Sequence, residues 1–336
     1  MASKDDTKKA KAWLLFDPIV QQAPLRHVNP WKDRHTFVPD FATLERLLGV
    51  PLLLEADTTS GVPALALDVW VAYELRRAGL DPDAVWPREE PPRVIASDII
   101  RFVDKQYVKT KTEIWERVKK GGNTFGGTLG ASANLLGKNY LKQVDVIMSH
   151  WSTGPEIMIS TKRMDSSFGK NAANRVEESY GDAKNLRLRH PQAACGFVYG
   201  LRSTCWDESP DKALWLMDLL AKLGREDDAY HAVALVVPEY GGEVLGENLD
   251  EEAPVGESAV AEAELPLELD LDMVQQQLAS LPAVTLKHDV IPDEISPARF
   301  FAVMLSKVLD NSPVDYHTTA RTLRDQAEKT GFNAGQ

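Results

Sequence analysis

The chain contains very little cysteine. Of its 336 residues only Cys195 and Cys205 are cysteines. Both lie on or near one apolar segment, so the sequence predicts neither a disulfide framework nor a zinc site. No apolar run approaches the roughly 20 residues of a membrane-spanning helix, and no secretory signal is evident in the charged opening residues. These absences predict a protein of the reducing cytoplasm without a membrane partner.

The common catalytic signatures are also missing. The histidines are scattered, and neither HExxH nor another paired metal-ligand spacing occurs. No serine or cysteine lies in a G-x-S-x-G elbow. The glycine-rich run 121–130 lacks the Gly-Lys-Ser/Thr ending of a phosphate-binding loop, and we interpret it as a mobile loop near a site. The sequence therefore disfavours zinc proteases, serine hydrolases and P-loop enzymes.

Charge is distributed unevenly along the chain. Acidic residues outnumber basic ones by 50 to 38, which gives a net charge of −12. Residues 101–202 nevertheless hold 17 Lys/Arg against 9 Asp/Glu, whereas 239–272 hold 12 acidic residues and no basic one. Local charge steers a polyanion more than the total charge does. The basic segment thus favours a polyanionic partner, with an ordinary solvated basic face as the alternative.

Apolar periodicity predicts an α/β fold. The apolar fraction of 43% and charged fraction of 26% are those of a soluble globular protein. The predicted helices are 37–49, 64–78, 110–120, 168–181, 210–223, 273–281, 297–309 and 316–329, and the predicted strands are 142–148, 156–162, 192–201 and 229–237. A hairpin followed by helix, strand, helix and strand indicates a mixed sheet covered by helices.

The chain divides into four predicted parts. Residues 1–100 form a mostly helical N-terminal region, and 101–240 form the α/β core. Residues 241–272 are acidic with few aromatics, which is typical of a solvated linker. Residues 273–336 form a helical C-terminal extension.

The segment 142–182 contains the strongest candidate site. Asp145 lies within an apolar predicted strand, where an isolated carboxylate is costly without a partner. Lys162 ends the next predicted strand and shares a face with Ser160 and Glu156, because side chains alternate along a strand. Each charge alone is more often structural. Their occurrence on two neighbouring strands favours a functional site.

The following helix supplies a third group. Val176 and Tyr180 help to define its predicted inward face, with Glu177 on the border of that face and Glu178 pointing to solvent. Glu177 is the preferred acid, while Glu178 and Glu156 stay open as alternatives. An aspartate, a lysine and a glutamate in this order could bind a divalent metal and activate water.

The order Asp145, Ser160-Thr161-Lys162 and Glu177 resembles the PD-(D/E)XK nuclease superfamily. It is most similar to the variant of some type II restriction endonucleases, in which Ser-x-Lys replaces Glu-x-Lys and the glutamate lies on the next helix. The wider string over 160–171, 177–187 and 189–191 is similar to bacterial restriction-type nucleases. The resemblance covers about residues 100–240. It departs from the motif at Val144, where the motif name has proline.

The resemblance implies a fold and a chemistry. The fold is a restriction-endonuclease-like core, a mixed central sheet flanked by helices, with helical N- and C-terminal additions. Asp145, Glu177 and the backbone carbonyl of Thr161 would hold Mg²⁺, a hard ion that prefers oxygen ligands. Lys162, next to Thr161 in the Ser160 motif, would orient or help to deprotonate the attacking water.

The resemblance also implies a substrate and partners. The expected activity is Mg²⁺-dependent cleavage of double-stranded DNA in restriction or antiviral defence. A homodimer is expected because two strands must be cut, and a cognate methyltransferase is a further expected partner. The candidates for DNA contact are Lys142, Gln143, Arg163, Lys170, Asn171, Arg175, Lys184, Arg187 and Arg189.

Two other functions stay open. The first is a catalytically weak nuclease fold that serves as a DNA-binding or assembly module. The intact set of Asp145, Lys162 and Glu177 disfavours it, because an inactive site has no reason to keep all three. The second is an ordinary α/β scaffold in which these charges are structural.

Overall fold

A computed structural model of the chain describes residues 4–57, 60–119, 133–166, 168, 172–241 and 271–333. The predictions for the glycine-rich run, for Lys170 and Asn171, and for nearly all of the acidic linker lie outside these ranges. Within them, no helix combines the length and the apolar character needed to cross a membrane.

A mixed five-stranded sheet forms the centre of the molecule. The strands are β1 (Val85–Trp86), β2 (Asn134–Leu136), β3 (Leu141–Gln143), β4 (Val146–His150), β5 (Gly154–Met164), β6 (Ala194–Leu201), β7 (Ala232–Val236), β8 (Pro238–Glu239) and β9 (Thr285–Leu286). The central sheet has the order β1-β4-β5-β6-β7, and β2-β3 and β8-β9 are separate two-stranded sheets. β1, β4 and β5 are antiparallel, whereas β5, β6 and β7 are parallel. The predicted α/β class with a mixed sheet is confirmed.

Helices cover both faces of this sheet. They are α1 (Lys4–Gln21), α2 (Phe41–Leu53), α3 (Val62–Arg77), α4 (Ser97–Asp104), α5 (Val108–Lys119), α6 (Ala172–Arg187), α7 (Thr204–Glu208), α8 (Pro210–Leu223), α9 (Leu271–Ala279), α10 (Pro297–Asn311) and α11 (Thr318–Asn333). Residues of α1, α2, α3 and α10 share one core with one face of the sheet, and residues of α6 and α8 share a second core with the other face. Alternation along β5 fixes the two sides: Ile157 and Ile159 lie in the first core, and Met158 lies in the second.

Several predicted elements need correction. α8 is confirmed at its predicted bounds, and most other helices and strands shift by a few residues. The single strand predicted over 142–148 is wrong, because the chain bends at Asp145 and passes from β3 in one sheet to β4 in another. The helix α1 was not predicted. Its first two turns are rich in charge, which hides the buried helical spacing of Leu15, Phe16 and Ile19.

The two ends of the chain belong to the central fold. Phe301 of α10 is completely buried. Its ring centroid lies 5.1 Å from that of Phe37 and 5.3 Å from that of Trp70 in α3. Residues from 1–100 and from 273–336 therefore share one core with the central strands.

We expect Phe301→Ala to lower the free energy of unfolding by about 3–5 kcal/mol, the usual cost of deleting a fully buried aromatic ring. Urea denaturation followed by tryptophan fluorescence and by far-UV circular dichroism measures this change. Val314→Ala is the matched control, because the Val314 side chain is 85% exposed, and it should change stability by less than about 0.5 kcal/mol. A variant that lost only one of two separate transitions would contradict a shared core.

Candidate active site

Two aspartates bind to the same residue of β5. The backbone N–H of Thr161 donates a hydrogen bond to Asp145 Oδ2 at 2.8 Å. The Thr161 hydroxyl donates to Asp68 Oδ1 at 2.5 Å. A single threonine thus holds two carboxylates from distant parts of the chain, and the next residue along the strand is Lys162.

The bend between β3 and β4 places Asp145. Val146 is the first residue of β4 and pairs with Ile159 of β5. The N–H of Thr161 therefore lies beyond the end of the β4–β5 ladder, and a backbone donor in a partly buried place needs another acceptor. The Asp145 carboxylate supplies that acceptor at the edge of the central sheet.

The position of Asp68 follows from helix α3, which packs on β5. Thr161 shares its face of the strand with Ile157 and Ile159, which lie in the core that contains α3. Asp68 is a half-buried residue in a helix whose neighbouring side chains Leu67 and Val69 are buried. Asp68 was not predicted as a site residue. The one signal for it in the sequence is a lone carboxylate within an apolar helical run.

Burial raises the pKa of both carboxyl groups. Burial, together with the nearby charge of Asp145, raises the pKa of Asp68 well above its usual range, although Thr161, Lys9 and Lys162 act in the opposite direction. Burial also raises the pKa of Asp145, and the Thr161 N–H, Lys162 and Lys142 partly offset that effect. Burial is therefore the main cause of both shifts, and the nearby donors and cations offset only part of it.

Both carboxylates and Lys162 line one cavity of about 240 Å³. Lys162 is half-buried, and its predicted face is opposite to that of Thr161. The remaining wall includes Trp13, Trp86 and Gln143 and two further cations, Lys9 and Arg163. Of the predicted site residues, the structure thus brings together Asp145, Thr161 and Lys162, with Gln143 and Arg163 also in the lining.

Helix α6 does not present Glu177 as predicted, whereas Glu178 is exposed as predicted. Its buried side chains include Val176, Ser179 and Asp182, whereas Glu177 and Glu178 are exposed. The predicted position of Glu177 on the border of the inward face is therefore wrong. The inward face is partly polar because it contacts the β2–β3 hairpin, so apolar residues alone gave the wrong helix phase.

A second charged group joins α6 to that hairpin. Lys142 Nζ lies 2.5 Å from Asp182 Oδ2 and 3.5 Å from Glu178 Oε1. The Tyr140 hydroxyl donates to Asp182 Oδ1 at 3.1 Å. Lys142 was predicted as a phosphate contact, but its ammonium group is already paired with these acids. Its charge still favours the ionised form of Asp145.

Glu156 lies at the other end of β5. His317 Nε2 is 2.5 Å from Glu156 Oε2, and the Thr153 hydroxyl also donates to this carboxylate. These bonds hold the pKa of Glu156 below its usual range against the opposing effect of burial. Six residues of strand separate Glu156 from Lys162, which corresponds to roughly 20 Å. The structure therefore does not bring this alternative acid to the cavity.

Other predicted DNA contacts have structural partners. Arg163 is buried and forms an ion pair with Asp165 at 2.9 Å. The Arg187 guanidinium donates to the carbonyl of Ala229 at 2.9 Å, and Lys184 pairs with Asp228 at 2.7 Å. Arg189 is exposed, and the side chain of Arg175 lies outside the described part of the structure. Ser160, which belongs to the predicted catalytic motif, is half-buried on β5.

The donor set of the cavity suits a hard divalent ion. Asp68 and Asp145 offer carboxylate oxygens, and the described residues that line the cavity include neither histidine nor cysteine. Among the described residues no group of three or more His, Cys, Asp or Glu is arranged to hold a metal. Mg²⁺ commonly uses one or two carboxylates and completes its shell with water and substrate phosphate. Two crowded carboxylates with raised pKa values fit that pattern.

Comparisons with protein-family models, with curated proteins and with solved structures found no match for this chain. The likeness to a nuclease therefore depends on the residues of the site itself.

We expect Asp68→Asn to stabilise the metal-free protein, because it removes one of two repelling buried carboxylates. The folded pKa of Asp68 exceeds its unfolded value, so the folded carboxyl holds its proton longer and wild-type stability falls as pH rises above about 4. The melting temperatures of variant and wild type in EDTA should differ little near pH 4 and diverge toward neutral pH.

Asp227→Asn is the matched control, because Asp227 is exposed. It should leave the pH dependence of melting unchanged. A melting temperature of Asp68→Asn that stayed below that of the wild type throughout this pH range would show that Asp68 is a structural acid.

Proposed function

We propose that this protein is a divalent-metal-dependent nuclease that hydrolyses phosphodiester bonds of double-stranded DNA. The observation that supports the proposal most is the attachment of Asp68 and Asp145 to Thr161, directly before Lys162. Two acids and a lysine in one cavity form a compact set for metal-assisted hydrolysis.

Asp145 and Asp68 would hold the metal. Their raised pKa values mean that they gain most from a nearby cation, and Thr161 fixes both carboxylates in place. A bound Mg²⁺ would polarise the phosphate and lower the pKa of a coordinated water. The carbonyl of Thr161 stays a predicted ligand. Asp68 takes the place that the sequence analysis gave to Glu177.

Lys162 would act on the substrate side of the cavity. Its ammonium group would orient the attacking water and offset the charge that develops on the phosphate oxygens. The positive charge of Lys162 acts to lower the pKa of both Asp68 and Asp145. This charge therefore acts on the carboxylates of the cavity. The lysine thereby supports both metal binding and the reaction.

A polyanionic substrate agrees with the charge distribution. Residues 101–202, which include Asp145 and Lys162, are the basic part of an acidic chain. The choice of duplex DNA, the homodimer, the setting in restriction or defence and the companion methyltransferase all follow from the resemblance to type II restriction endonucleases.

We expect the wild-type protein to convert supercoiled plasmid to nicked and linear forms with Mg²⁺ and to lose that activity in EDTA. Asp145→Asn, Asp68→Asn and Lys162→Ala should each lower the rate by about a hundredfold or more, because the two acids would hold the metal and the lysine would offset charge on the reacting phosphate. Agarose gel electrophoresis with quantified band intensities measures the rates.

Glu156→Gln and Glu177→Gln are the matched controls, because both change a carboxylate outside the cavity to an amide. They should cut within a few-fold of the wild-type rate. Plasmid cutting that survives Lys162→Ala unchanged would remove this lysine from the mechanism. Tight DNA binding by a wild-type protein that never cuts would favour the catalytically weak DNA-binding module instead.

A further inference from the structure

Helix α5 and the C-terminal end of α4 are strongly exposed. Nearly all of α5 up to Arg117 is exposed or half-exposed, including the apolar residues Ile114 and Trp115. The three connecting residues and the first turn of α5, together residues 105–111, are here called the α4–α5 joint. It exposes 89% of Tyr107 and 81% of Val108, and Phe102 of α4 is 61% exposed beside it. Large exposed side chains in such a group are typical of a binding surface.

The α4–α5 joint is also basic. It contains three lysines and no acidic residue. Lys111 pairs with Asp104 at 2.7 Å, whereas no described residue forms an ion pair with Lys105 or Lys109. Lys105 and Lys109, both exposed, thus lie two residues before and two residues after the exposed Tyr107 in the sequence. Lysines next to an aromatic side chain suit the phosphates and sugars of a nucleic acid.

The joint lies within reach of the cavity. Val94 lines the cavity, and α4 begins three residues later at Ser97. The three extended steps from Val94 to Ser97 and the eight residues of α4 together span at most about 22 Å. The joint therefore begins no farther than this from Val94. This distance is shorter than one turn of duplex DNA, about 34 Å. An ion pair of 2.7 Å between Arg101 and Asp81 ties α4 to the body of the protein.

We propose that the α4–α5 joint binds the phosphate backbone of duplex DNA beside the cleavage position, with Lys105 and Lys109 as phosphate contacts and Tyr107 against the sugar-phosphate chain. This inference rests on the proposed nuclease function and names the surface that holds its substrate. Contact between two copies of the joint is disfavoured, because a two-fold interface would place lysines against lysines.

The test is DNA binding in EDTA, where cleavage is excluded. Fluorescence anisotropy with a labelled 30-base-pair duplex gives the dissociation constant over a range of KCl concentrations. The double variant Lys105→Ser/Lys109→Ser should bind roughly tenfold or more weakly, and the slope of log K against log salt should become shallower by about 1.8, since each phosphate contact contributes about 0.9. Tyr107→Ser should weaken binding about fivefold or more.

The matched control is Lys212→Ser/Lys222→Ser, which removes the same charge from exposed positions of α8. It should keep the wild-type slope. With Mg²⁺ and saturating plasmid, the joint variant should cut at the wild-type maximal rate and need more DNA to reach it.

Three different results would contradict either the DNA-binding role of the joint or the proposed nuclease function. Cleavage by the wild type together with unchanged binding and slope in the joint variant would overturn the joint as a DNA surface and leave the nuclease intact. A wild-type protein that neither binds nor cuts DNA would overturn the nuclease itself. A joint variant that changed from dimer to monomer in light scattering, with the wild-type salt slope, would overturn the DNA contact in favour of an interface between copies.

Discussion

The attachment of two carboxylates to Thr161 is the interaction on which the rest of the site depends. Asp68 comes from a helix on one face of the sheet, and Asp145 comes from the bend at the sheet edge. Both reach Thr161 only because α3 packs on β5 and because β4 begins one residue after Asp145. Burying charged acids costs free energy unless cations or donors offset it. Here the donors and lysines offset only part of that cost.

Packing in the core stabilises the fold and so offsets the free-energy cost of burying two acids at the site. One face of the sheet is covered by helices from both ends of the chain, and Phe301 joins them to the central strands. Gly196 of β6 allows α10 to approach closely, because a Cβ at this position would lie 2.8 Å from the ring of Phe300. A well-packed layer can hold a repulsive pair of acids in place, as functional sites often require.

The sequence was sufficient to predict the elements whose pattern is local. The helix α8, the buried strands β6 and β7, and the alternation that places Lys162 near the end of β5 all follow from periodicity. The contribution of Asp68 was not predictable in the same way, because nothing in the sequence links it to Asp145 before α3 is placed on the sheet. Glu177 was misplaced because polar side chains such as Asp182 form part of the buried face of α6.

The central claim is that Asp68 and Asp145 together bind one divalent ion. Isothermal titration of the metal-free protein with Mg²⁺ or Mn²⁺ near pH 6, repeated in two buffers of different ionisation enthalpy, tests it most directly. We expect one site per chain and loss of that site in Asp145→Asn, with proton release on binding that grows as the pH falls, because burial raises the pKa of both carboxyl groups. No metal binding by the wild type, or identical binding by wild type and Asp145→Asn, would contradict it.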